Sequence, residues 1–249
     1  MPIATYVFLD LQSSGLPGDD HGDVQITELC MLAVKRAHLM STDNLAPRVQ
    51  YKLRMCFNPQ KKVDQTSAAT TGLNLSLLKN EANFNNDVYN TINSFIRCLE
   101  KPVCLIGHNA FEFHFPLLQY HFNKVQVTLS GDIMCTDSAY AFSDLEPVLE
   151  NSNTSINNSL LSKKTGKNNN KTKMFNELWR EGFRTIPMET VKVSDECQRV
   201  GVDDERLKIE GAEYNCFMIM KLAKAEGKAF SKWVEQHHCP FAEVPEMVM

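Results

Sequence analysis

Apolar and polar positions alternate or cluster along this chain in a way that predicts β structure first and helices later. Apolar runs at "TYVFLDL" (Thr5 to Leu11), "VQITELCMLAVKRAHL" (Val24 to Leu39) and "YKLRMCF" (Tyr51 to Phe57) are separated by segments rich in Gly, Pro, Asp, Ser and Asn. Such runs bounded by turn formers predict three strands in an antiparallel meander. "NDVYNTINSFIRCL" then places Val88, Ile92, Phe95, Ile96 and Leu99 at helical spacing. Val103 to Ile106 reads as a buried strand running into Gly-His-Asn, and "FHFPLLQYHF" (Phe113 to Phe122) as a helix with Pro116 in its first turn, where a missing N–H costs little. "GDIMCTDS" predicts a further strand and "AYAFSDLEPVLE" a helix. "MFNELWREGF" (Met174 to Phe183), "GAEYNCFMIMKLAKAEG" with Gly227 as its stop, and "KAFSKWVEQHH" complete the helices. A meander followed by alternating helices and strands predicts one mixed α/β domain over residues 1–249.

The length of 249 residues suits one sizeable α/β domain, and a hydrophobic fraction of 43% is that of a globular protein. No apolar run approaches the roughly 20 residues that span a bilayer, and "MPIATYVFLD" lacks the plan of a signal peptide. The expected location is intracellular, cytoplasmic or nuclear, with no membrane partner. The eight cysteines form no CxxC pair and sit in apolar segments, which predicts reduced core thiols. "HHC" at 237–239 has poor zinc spacing and reads as surface.

A net charge of -4 gives no overall nucleic-acid footprint. Locally, residues 151–176 hold five lysines, Lys163, Lys164, Lys167, Lys171 and Lys173, and no acid. The Asn/Ser/Lys-rich stretch at about 151–173 is therefore expected to be a flexible basic loop.

In "VFLDLQSSGLP", Asp10 and Gln12 lie two residues apart, so both side chains point to one face of a strand. Together with "ITELCMLAV", "YKLRMCFNP", "TTGLN", "LIGHNAFEFHFPLLQ", "CTDSAYAFSDLE" and "FSKWVEQHHCPF" in the same order, this segment resembles the three prime repair exonucleases. These are DnaQ-like enzymes of the Asp-Glu-Asp-Asp-His class. The resemblance runs from about residue 5 to about residue 242. It implies a ribonuclease H-like α/β fold, with a central mixed five-stranded sheet flanked by helices. It also implies a site in which four carboxylates hold two divalent ions and a histidine is the base.

Carried over position by position, the first carboxylate is Asp10, but the second falls on Gln12 and the third on His114. The last motif matches "LKIEGA", which puts the base on Leu207 and the fourth carboxylate on Ala212. The resemblance thus implies a degenerate site with Asp10 the only retained ligand and no cofactor expected. Glu112 and Glu213 stand near the vacated places, but an offset of one or two residues on a helix turns a side chain by roughly 100° or 200°. The resulting expectation is a catalytically inactive exonuclease-like protein, a nucleic-acid-binding or protein-scaffold dimer. The alternative is an active metal-dependent 3′-5′ exonuclease on DNA or RNA ends, using Mg²⁺ or Mn²⁺ in an unusual ligand set.

The family's grip on a 3′ end is matched here by Gly15 and Leu16 and by Thr71, Gly72 and Leu73. The lysines of the basic loop would add salt-dependent phosphate contacts to a single strand. Glu112 stands where one branch of the family has a basic residue facing substrate, and would repel phosphate. The resemblance finally implies a homodimer through the edge strand Tyr51 to Phe57.

Overall fold

The structure, a computed structural model, describes residues 2–17, 23–42, 46–145 and 211–248. The expected basic loop with its five lysines, the helix at 174–183 and Leu207 lie outside the described residues. Strands β1 (Thr5–Ser13), β2 (Ile26–Lys35) and β3 (Val49–Cys56) form the antiparallel meander. Strand β4 (Val103–Gly107) joins β1 in parallel, and β5 (Met134–Asp137) joins β4 in parallel.

The sheet has six strands rather than five. A two-residue strand β6 (Cys239–Pro240) pairs antiparallel with β5, giving the order β3-β2-β1-β4-β5-β6. So short a strand has no periodicity to read and is defined by its partner. It also corrects the surface reading of "HHC": Cys239 is buried in β6, and the His237 ring stacks on Trp233 with centroids 4.4 Å apart. These residues follow a helix and turn back onto the sheet edge, so packing overrides their polar look.

The helices observed among the described residues are α1 (Arg36–Leu39), α2 (Gln65–Thr71), α3 (Leu75–Leu78), α4 (Asn86–Arg97), α5 (Phe115–Lys124), α6 (Ser138–Leu145), α7 (Ala212–Glu226) and α8 (Lys228–Gln236). The strand expected to run to Leu39 ends at Lys35, where α1 begins. Helix α2 is built of Ser, Thr and Ala without an apolar stripe. It is held by its ends: the Asp64 carboxylate accepts from the Thr66 and Ser67 N–H groups, and Gly72 takes the left-handed φ of +71°.

Because side-chain direction alternates along β1, its two faces feed two cores. Val7, Leu9 and Leu11 pack with Val88, Ile92 and Ile96 of α4 and with Leu117, Leu118 and Phe122 of α5. Tyr6 and Phe8 pack with Ile219, Met220 and Ala223 of α7 and with Phe230 and Val234 of α8. Asp10 and Gln12 continue this second row, so they end up against the start of α7.

On α5, His121 is buried against Phe84, with ring centroids 5.0 Å apart. Burial pulls its pKa down to about 4, with Lys124 acting in the same direction and Asp23 opposing. A folded-state pKa below the unfolded one means that the unfolded chain binds more protons between those values, so stability rises with pH there. We expect His121 to contribute up to about 3 kcal/mol that is present above pH 6.5 and lost as pH falls toward 4. Urea unfolding at pH 4.5 and 6.5 checks this: His121→Phe should flatten the difference, and an unchanged slope would refute it.

Candidate functional site

Strand β4 ends in Gly107, and a Cβ there would come within 2.7 Å of Ala110 Cβ and 3.1 Å of the Leu9 carbonyl. Only glycine lets the chain turn this close to β1. Asn109 then adopts the left-handed φ of +52°, and a π-helical turn over Ala110–His114 leads into α5. Asp137, at the end of β5, fixes that turn: its Oδ2 accepts the Phe111 N–H at 3.1 Å and its Oδ1 the Ala139 N–H at 2.9 Å. The turn delivers the His114 ring onto β1.

There the ring is held at both nitrogens. The Leu11 backbone N–H donates to His114 Nδ1 at 3.3 Å, which leaves Nε2 to carry the ring proton, and Nε2 lies 3.3 Å from Asp10 Oδ1. Burial lowers the His114 pKa to about 4, the neighbouring His108 adds to this, and a hydrogen bond to the His108 backbone opposes it. The ring is thus neutral near pH 7.

Two amides complete the arrangement. Gln12 Nε2 donates to Asp10 Oδ2 at 2.8 Å, and Asn215 Nδ2 donates to the same oxygen at 3.2 Å. Asp10 is buried, and that burial raises its pKa to about 8; Asn215 and Gln12 pull it down, and Glu28 pushes it up. Two neutral N–H donors, Gln12 and Asn215, therefore converge on one oxygen of this carboxyl, with His114 Nε2 3.3 Å from the other.

The family's ion pair can be tested against this donor set. A hard divalent cation takes oxygen ligands, chiefly carboxylates and waters. Here one carboxyl accepts from two amides, and His114 Nδ1 is occupied by the Leu11 N–H. No group of three or more His, Cys, Asp or Glu side chains suited to a metal occurs among the described residues. The described residues do not fit the two ions.

Ala212 opens α7 and is buried, and its backbone N–H donates to Glu28 Oε2 at 2.9 Å. Glu28, on β2 directly opposite Gln12, is 1% exposed and also accepts from Arg54 Nε at 2.6 Å. Glu213 does not turn toward Asp10. It pairs with Lys52 Nζ at 2.9 Å and Arg54 at 3.5 Å, on the β3 side. Glu112 sits partly buried, with its pKa raised by burial and by Asp137.

The other sequence candidates form a separate group of turns. Leu16, after β1, is 57% exposed, and the Asp64 N–H donates to the Ser14 carbonyl at 2.7 Å, tying that loop to the start of α2. Thr71 Oγ1 donates to the Ser67 carbonyl and accepts the Leu73 N–H, which fixes the turn around Gly72. Hydrogen bonding within the turn accounts for Thr71 and Gly72.

Sequence reasoning missed Asn215 and Glu28. The signal for Asn215 was its spacing of three from Ala212, which puts both on one face of α7. For Glu28 it was a lone acid inside an apolar strand. Asn215→Leu should leave Asp10 Oδ2 with one donor fewer and cost about 1 to 2 kcal/mol. It should also raise the Asp10 pKa further, measurable by carboxyl NMR titration; an unmoved titration would show the contact to be idle.

No family model matches the chain. It is 33% identical over 150 residues to Three prime repair exonuclease 2 of Mus musculus, covering 57% of this chain and 62% of that protein. It is 34% identical over 163 residues to Three-prime repair exonuclease 1 of Bos taurus, covering 59% and 49%. Over these residues the chain is similar to the three prime repair exonucleases. The match spans less than two thirds of those proteins' own lengths.

Among solved structures, a 3′-exonuclease described in 3′-end specific recognition of a histone mRNA stem-loop superposes with a TM-score of 0.60 at 9% identity. It covers 94% of this chain and 66% of that one. Cell-death related nuclease 4 superposes at 0.58 with 10% identity, covering 90% and 64%. At such identities the likeness shows the fold, a DnaQ-like ribonuclease H-like sheet flanked by helices. No described helix is long and apolar enough to cross a membrane.

Proposed function

We propose that this chain is a catalytically inactive exonuclease-like protein that serves as a binding or scaffold dimer. The observation that supports the reading is the hydrogen bonding of Gln12 and Asn215 to Asp10, with the neutral His114 ring 3.3 Å away, at positions where the resemblance would put carboxylate ligands. Burial keeps the Asp10 carboxyl largely protonated at neutral pH, and a neutral carboxyl flanked by amides holds a cation poorly. Loss of a general base alone lowers such a reaction by about 10²- to 10⁴-fold. Leu207, at the base's place, cannot take a proton.

Single-stranded nucleic acid is the proposed ligand, held through Gly15, Leu16, Thr71, Gly72 and Leu73 and through the lysines at 163 to 173. The exposed Leu16 suits apolar contact with a terminal base. Dimerisation is proposed through β3, which is the sheet's edge and leaves Tyr51 48% exposed. An unpaired apolar edge favours strand pairing with a second copy.

The test is a 5′-labelled single-stranded oligonucleotide incubated with excess protein in Mg²⁺ or Mn²⁺, beside an Asp10→Ala control. The expected result is an intact strand, with retention of the oligonucleotide that weakens as salt rises. Shortening that disappears in the control would overturn the reading and establish the unusual ligand set. An intact strand with no retention at low salt would leave a protein scaffold as the binding mode.

A further inference from the structure

Five of the described cysteines are buried, and two of them face each other outside the Asp10 site. Cys135 on β5 and Cys239 on β6 are direct partners in the strand register, with Sγ atoms 3.7 Å apart. A disulfide needs about 2.0 Å, so the sulfurs must approach by about 1.7 Å, an arc within reach of a rotation about either Cα–Cβ bond. Cys135 is fully buried, whereas Cys239 keeps 5% of its surface exposed. An oxidant that reaches the pair therefore arrives from the Cys239 side, with Cys135 behind it at contact distance.

The position of this pair gives it leverage. Residues after β6 form a strap across α5: Gln119 Nε2 donates to the Phe241 and Val244 carbonyls, and the Met247 N–H donates to the Pro116 carbonyl. The Phe241 ring packs edge-on against Phe115. Helix α5 follows directly on His114, so the strap braces the element that carries the site's imidazole. In the thiol form the strap joins the sheet through the two paired residues of β6 and through the Phe241 N–H, which donates to the Ile133 carbonyl just before β5.

We propose that Cys135 and Cys239 are a reversible thiol–disulfide pair that staples the C-terminal strap to the sheet in the presence of a peroxide. Cys239 sulfur attacks one peroxide oxygen, breaking the O–O bond and forming a sulfenic acid, while the thiol proton leaves with the departing oxygen as water. Cys135 sulfur then attacks the Cys239 sulfur, the S–S bond forms, and a second water departs. Two thiols lose two electrons and hydrogen peroxide is reduced to two waters; a small thiol such as glutathione reverses the step by exchange. Joining residues 104 apart restricts the unfolded chain strongly, so the staple stabilises the fold.

The experiment uses the whole chain, incubated with hydrogen peroxide or with dithiothreitol, alkylated in denaturant, digested and mapped by mass spectrometry. Cys98, which is exposed, reports that the oxidant dose was effective. The expected result, beside the oxidation of Cys98, is the loss of two further thiols into a linked Cys135–Cys239 peptide. The melting temperature should rise with it by about 5 °C or more and return on reduction. Recovery of both cysteines as alkylated thiols while Cys98 is oxidised would overturn the proposal. So would a bridge from either residue to Cys104, or Cys239 ending as sulfinic acid.

Discussion

Replacing Gln12→Glu, His114→Asp, Leu207→His and Ala212→Asp together should give the chain a Mg²⁺-dependent shortening of 3′ ends that the proposed function denies to the parent. The expected gain is at least about 10²-fold over the parent, because both the ions and the base are returned. The argument starts from Asp10, which keeps its place on β1 and needs only oxygen neighbours in place of N–H donors. His114→Asp removes the ring whose Nδ1 is spent on Leu11 and whose Nε2 faces Asp10. Ala212→Asp restores a carboxylate at the start of α7, where the helix dipole favours negative charge. No single one of the four should suffice, since each leaves at least two positions vacant.

The same substitutions should weaken the metal-free fold. Carboxylates about 4 Å apart repel by roughly 4 kcal/mol per pair at an effective dielectric near 20, before shifted pKa values relieve part of it. Millimolar Mg²⁺ should then raise the melting temperature of the fourfold variant and leave that of the parent unchanged. A variant that folds, binds the ion and still leaves DNA and RNA ends intact would show that the site lacks more than these four groups.

The second large effect concerns Glu28. Its carboxylate holds two elements at once, accepting the Ala212 N–H at the start of α7 and the Arg54 guanidinium from β3. Glu28→Ala leaves the buried Ala212 N–H without its partner and removes a charge-assisted bond, a loss of about 3 kcal/mol. For a chain of this size that corresponds to roughly 10 °C in melting temperature. By contrast Lys52→Ala, which breaks only the exposed pair with Glu213, should cost less than about 1 kcal/mol. Equal losses in the two variants would mean that Glu28 is not the anchor of α7.

Much of this molecule is legible in its sequence, for reasons that differ by element. The apolar run of β1 and the helical stripe of α4 announce themselves because both cores are built on simple periods. Helix α2 does not, since its stability comes from the Asp64 and Gly72 ends and its composition is that of a loop. Strand β6 is two residues long and exists only by pairing with β5.

Gln12 could be placed from its spacing to Asp10 alone, and His114 and Ala212 through the family resemblance. That Asp10 acquires amide donors and an imidazole neighbour is a tertiary fact. It depends on the π-helical turn that brings His114 onto β1, and on Asn215 arriving from α7, 205 residues away in sequence.

The most direct test of the proposed loss of the metal site is electron paramagnetic resonance of Mn²⁺ titrated into the purified chain, with Asp10→Ala titrated in parallel. Free Mn²⁺ gives a sharp signal that binding broadens away, so the count of bound ions is read without any need for activity. The account predicts the same free signal for both proteins up to millimolar Mn²⁺. One or two ions held per chain by the parent and released by Asp10→Ala would contradict it.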